Sequence, residues 1–86
     1  MALHLLKQKI IACANMFPIT SFYTWEGELR EENEEVLLLK TREELFEKVR
    51  QEVERVHSYS VPCITKIAVE PNSAYARWLD GQVAHK

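Results

Sequence analysis

The sequence predicts an α+β domain of the ferredoxin-like type, in βαββαβ order, with its first strand missing and a helix added at the C-terminal end. Three observations lead there. A β-branched and aromatic stretch meets a second strand-like stretch at Glu26-Gly27, apolar residues recur at spacings of three and four after Thr41, and an Ile-, Thr- and Val-rich run follows Pro62. With a short amphipathic segment at each end, the order is helix, strand, strand, helix, strand, helix. A helix ahead of the hairpin needs a strand in the same layer to pack on, so a strand preceding it is expected.

The first helix is expected over Ala2 to Ile10, with Leu3, Leu6 and Ile10 as its apolar stripe and Lys7 and Lys9 turned away. Phe17-Pro18 then enforces an extended or turned backbone, because a residue before proline avoids the helical region. Ile19 to Trp25 has strand composition, and Glu26-Gly27 supplies a tight turn. The second strand runs to Lys40. Its acidic start, Leu29 to Glu35, is expected in solvent, and Val36-Leu37-Leu38-Leu39 buried on both faces.

Thr41-Arg42-Glu43-Glu44 has the form of a capping box, which opens a helix carrying Phe46, Val49, Val53 and Val56 on one face, with Glu44 and Lys48 one turn apart. His57 to Pro62 ends that helix, and Cys63 to Val69 reads as a third strand with Pro62 at its start. Pro71-Asn72-Ser73 opens the last helix, on which Tyr75, Trp78 and Leu79 share a face and Gly81 lies near the end.

Eighty-six residues form one domain, 1–86. A lone chain of that size buries only about 60 to 65% of the surface its unfolded form exposes, so its stability is marginal unaided. Two cysteines, Cys13 and Cys63, give no disulfide framework, which leaves oligomerisation as the expected source of further stability. A net charge of −2 with mixed signs offers no footprint for nucleic acid or an anionic membrane. No apolar run approaches the roughly 20 residues of a membrane span, and the leucines at the N-terminus precede Lys7 and Lys9, so no signal peptide is expected. A cytoplasmic chain with reduced thiols is the expectation.

Five segments together resemble the signature of the CutA family of divalent-cation tolerance proteins. They are Ala12-Cys13-Ala14-Asn15, the run from Ser21 through Trp25-Glu26-Gly27 to Leu29, Leu39-Lys40-Thr41, His57-Ser58-Tyr59-Ser60-Val61-Pro62, and Tyr75-Ala76-Arg77-Trp78-Leu79. Each alone is weak, but five in order over nearly the whole chain are specific. The resemblance implies a ferredoxin-like subunit, a homotrimer with strand pairing between subunits, and a link to tolerance of copper and other divalent cations. The family pattern opens with a strand and the first turns of a helix, which this sequence lacks.

The resemblance also implies that Cys13 and His57 lie near a cleft between subunits and are linked to copper. Thiolate and imidazole suit Cu(I), Cu(II) or zinc, but two donors do not complete a site and no Cys-x-x-Cys or His-x-x-x-His spacing supplies more. The plainer alternatives are a small buried apolar role for Cys13 and a helix cap for His57. Cys63 is read as a core residue. Trp25, Glu26, Lys40, Tyr59 and Trp78 are candidates to line a polar pocket at a subunit junction, with core or interface packing of the aromatics as the alternative. Glu31, Glu32, Glu34 and Glu35 lack a calcium-loop pattern and read as a solvated face.

Competing functions are separable. An RNA-binding module needs stacking aromatics in a basic, glycine-bearing strand, which Val36 to Lys40 is not. A copper chaperone needs a Cys-x-x-Cys loop, and no nucleophile elbow, triad or metalloprotease helix supports an enzyme. The strongest alternative to a cation-tolerance protein is a trimeric regulator binding a small anion or partner at its clefts, although Gly27 and Gly81 offer no phosphate loop.

Overall fold

A computed structural model describes residues 1–57 and 62–84 of the chain. In chain order these form α1 (Ala2–Lys7), β1 (Cys13–Trp25), β2 (Glu28–Lys40), a 3-10 turn (Glu43–Leu45), α2 (Phe46–Val56) and α3 (Ser73–Gln82). The hairpin dominates the shape. Its thirteen-residue strands pair antiparallel from Cys13↔Lys40 at the root to Trp25↔Glu28 at the tip. At about 3.3 Å per residue such a ribbon is roughly 40 Å long, and it accounts for the 46 Å longest dimension of the molecule.

The expected turn at Glu26-Gly27 closes this hairpin. Both residues have positive φ, 51° and 81°, as a two-residue type I′ turn requires, and that twist matches the right-handed twist of the strands. β1 starts six residues earlier than its composition suggests and passes straight through Pro18, which pairs with Glu35. A ribbon of two strands makes both of them edges, where a proline's missing amide need not interrupt the ladder.

The helices pack at the root. Leu5, Ile10, Ile11 and Val49 are buried together, with Ala14, Leu39 and Val53 packed against them. A second cluster joins Ala12, Leu45 and Val83, with Leu79 beside it. The connector between α1 and β1 is tied down from three directions: Thr41 Oγ1 donates to the Ile10 carbonyl at 2.7 Å, Ala12 N–H to the Lys40 carbonyl, and Ala84 N–H to the Lys9 carbonyl, each at 2.8 Å.

Several expectations require correction. The stripe of α1 is carried by Leu5, not by Leu3 and Leu6, which are 73% and 36% exposed. The helix ends at Lys7, and the left-handed Lys9 (φ 59°) redirects the chain so that Ile10 and Ile11 enter the core from a connector. Thr41 does not cap α2. Its hydroxyl is committed to Ile10, and Arg42 instead occupies the cap position of the 3-10 turn that precedes the helix.

Val36 to Leu39 are half-buried at most, and Leu38 is 45% exposed, because only β1 flanks β2 among the described residues. No strand forms over Cys63 to Val69, where Ile67 and Val69 are 73% and 81% exposed. β-propensity describes how a residue fits a paired, half-buried surface, and it cannot make a strand without a neighbour. Cys63 is accordingly exposed, not a core residue. On α2 the predicted face holds, with Val49 buried and Phe46 and Val53 half-buried, while Val56 is exposed at the helix end.

Candidate functional site

Alternation along the ribbon sorts the candidate residues by face. Residues directly opposite in an antiparallel pair point the same way, and successive residues point oppositely. Ala14 and Leu39 therefore share the face that packs on the helical core. Cys13 and Lys40 share the other, along with Tyr23 opposite Arg30 and Trp25 opposite Glu28. Most of the sequence-predicted strand residues thus lie on one face, distributed over its full length.

At the root, α3 covers the end of that face. The Lys40 ammonium lies 5.6 Å from the centre of the Tyr75 ring, within the range of a cation–π attraction. Tyr75 in turn meets Trp78 at 5.4 Å between centroids, tilted by 45°. Cys13 is half-buried, with its thiol 3.9 Å from Asn15 Oδ1. Nearby, Arg42 bridges Glu44 and Asp80, at 2.9 and 3.1 Å, and so fastens the start of α2 to α3. Lys40, Tyr75 and Trp78 thereby form one contiguous group with Cys13 across the ladder from Lys40.

The tip is a separate cluster. Trp25 is 41% exposed, and Phe22, Tyr23, Thr24, Leu29 and Arg30 line a shallow, largely apolar recess. Tyr23 donates to Glu32 Oε1 at 2.7 Å, and that bond, with the carboxylate's charge, pushes the phenol above its ordinary range. Glu31, Glu32 and Glu35 are exposed, as expected of a solvated face, while Glu34 is half-buried. Within one chain Trp25 and Glu26 stand roughly 40 Å from Lys40 and Trp78, the length of the ribbon.

His57 sits at the C-terminal cap of α2, half-buried, with its amide donating to the Val53 carbonyl at 2.8 Å. This is the capping position anticipated for it. Tyr59 lies outside the described residues. Among the described residues no three of His, Cys, Asp or Glu gather as a metal would need, so neither Cys13 nor His57 belongs to such a cluster. The donor chemistry therefore does not fit a closed copper centre. Sequence reasoning omitted Tyr75 from the pocket set, although its place one turn before Trp78 on a helix face was the signal that could have found it.

These features define a small α+β protein with a long projecting hairpin, whose candidate site residues are concentrated at the two ends of that hairpin. The chain belongs to the CutA1 divalent ion tolerance protein family, whose pattern matches residues 1–82. The divalent-cation tolerance protein CutA of Archaeoglobus fulgidus is 43% identical over 83 residues, spanning 95% of this chain and 81% of that protein. The crystal structure of CutA1 from Pyrococcus horikoshii is similar at a TM-score of 0.92 with 40% identity, over 98% of this chain and 83% of that one. A PII-like protein CutA from Nostoc sp. PCC 7120 is similar at 0.90 with 29% identity, over 96% and 83%.

Proposed function

We propose that this chain acts as a homotrimeric binding protein in divalent-cation tolerance or response, with its working surface at the junctions between subunits. The observation that carries this reading is the split of the candidate set. Trp25 and Lys40 share one ribbon face, but Trp25 with Glu26 stands at the tip and Lys40 with Tyr75 and Trp78 of α3 at the root, too far apart to share a ligand within one chain. A ferredoxin-like trimer in which ribbons pair between subunits brings the tip of one copy to the root of another. The exposed Phe17, Ile19, Phe22, Trp25 and Leu29 supply apolar surface for such pairing. Binding, not catalysis, follows from this set, and residues 1–86 act as one domain.

The donors present suit copper or zinc, and we take copper as the cation to be tested. Cys13 and His57 offer one soft and one borderline ligand, which makes the site open and its affinity modest. Protonated imidazole cannot coordinate, so binding weakens as pH falls through the histidine range. Calorimetric copper titration of the wild type, Cys13→Ser and His57→Ala tests this: each substitution should reduce binding by about tenfold or more. Equal binding by all three proteins, or none by the wild type, removes the metal role.

A second reading is favoured by the Lys40–Tyr75–Trp78 group, where a cation backed by exposed aromatic surface suits a small anionic ligand better than a metal ion. It makes the trimer a regulator responding through that ligand. Both free cysteines, one exposed, favour a reducing compartment, and we place the protein in the cytoplasm. The Archaeoglobus fulgidus structure is described as periplasmic for that protein, so cell fractionation is the direct check.

A further inference from the structure

We propose that His4 and Glu52 form a proton-dependent latch that holds α1 against α2. His4 Nε2 and Glu52 Oε1 are 2.5 Å apart, across 48 residues of sequence. Glu52 also accepts from Arg55, one turn along α2, and from Nε2 of Gln8, the C-cap residue of α1, at 3.4 Å. The carboxylate side chain is 17% exposed and the imidazole 42%. His4 of α1 and Gln8 at its C-cap therefore converge on one half-covered carboxylate of α2, and Leu5 of α1 and Val49 of α2 belong to the same buried cluster.

The helix needs such a contact. Six residues are far too few for an isolated helix to persist in water, so α1 is held by tertiary contacts, of which Leu5 is its one buried residue. The polar contacts are the remainder. An imidazolium at His4 makes a charge-assisted bond to Glu52, roughly twice as strong as the bond from a neutral ring. Arg55 keeps Glu52 ionised, and an imidazole is the kind of side chain whose charge ordinarily changes between about pH 5 and 8.

From α2 the cluster meets Glu52 and Arg55, and from α1 it meets Gln8, while Lys7 and Lys48 are exposed on their helices. From the ribbon, the packed residues Ala14 and Leu39 are apolar. Release of α1 would be felt at the ribbon root, because the connector from Lys9 to Ala12 is bonded to Thr41, Lys40 and Ala84 and leads directly into Cys13.

Amide hydrogen exchange on the full chain tests the latch, using Leu5 and Gln8, whose amides bond to the Met1 and His4 carbonyls. After correction for intrinsic rates, these amides should exchange about two- to five-fold more slowly at about pH 5.5 than at about pH 7.5. His4→Gln should abolish the difference, whereas His4→Lys, charged at both values, should keep exchange slow throughout. A pH dependence that survives in His4→Gln arises elsewhere in the chain and overturns the proposal. A wild type whose α1 amides show no pH dependence overturns it as well.

Discussion

Glu52 is the residue on which most local electrostatics converge. Hydrogen bonds from Arg55 first, then His4, hold its carboxyl down from 4.5 to about 2. A carboxylate depressed in the folded state stabilises the fold at pH above its unfolded value, and the contribution is lost as pH falls through the folded one. The window here is therefore about pH 4.5 down to about 2. Glu52→Gln is expected to melt below the wild type at neutral pH, with the gap closing as pH approaches 2 in a thermal series. A gap unchanged across that range would mean that the ion pairs of Glu52 contribute nothing. None of this was legible in the sequence, since His4 and Glu52 are 48 residues apart in the chain and meet only in the folded packing of α1 and α2, whose Leu5 and Val49 share one buried cluster. Gly27 was legible, because a glycine between two strand-like stretches has few other uses.

The elements divide by whether their signal is local. α2 announces itself through apolar spacing, and its surface is further supported by pairs one turn apart, Glu47 with Arg50 and Arg50 with Glu54. The ribbon is signalled by composition and a turn. The stripe of α1 was misread because three leucines in four positions, Leu3, Leu5 and Leu6, fit more than one face, and the partner helix decides which is inward. The third strand failed for a related reason: Cys63 to Val69 has strand chemistry, but pairing depends on a neighbour that no local residue encodes.

Trp25 and Trp78, 41% and 46% exposed, test the ribbon's role at this scale. Exposed side chains that touch nothing else usually change stability by less than about 0.5 kcal/mol when removed, whereas aromatic anchors in an interface cost about 2 kcal/mol or more. Trp25→Ala and Trp78→Ala are each expected to weaken subunit association by roughly tenfold or more, read by sedimentation of a dilution series in the analytical ultracentrifuge. Unchanged association in both variants would reassign the two residues to an open ligand surface.

At the scale of the whole molecule, the chain buries little for its size. Leu5, Ile10, Ile11, Ala12, Leu45, Val49 and Val83 make up the buried apolar core of the described residues, while Phe22, Leu29, Ile67 and Val69 are largely exposed. An apolar surface of that extent on a protein of marginal size is expected to be covered by its own copies. The same assembly would carry the tip cluster of one subunit to the root cluster of another, so the candidate site and the oligomer stand together. The mass of the wild-type particle, from light scattering coupled to size exclusion at micromolar concentration, tests this most directly. The account predicts about three times the 10.1 kDa chain mass. A monomer or a dimer would contradict it, leaving Trp25 and Lys40 at opposite ends of a ribbon with no shared site.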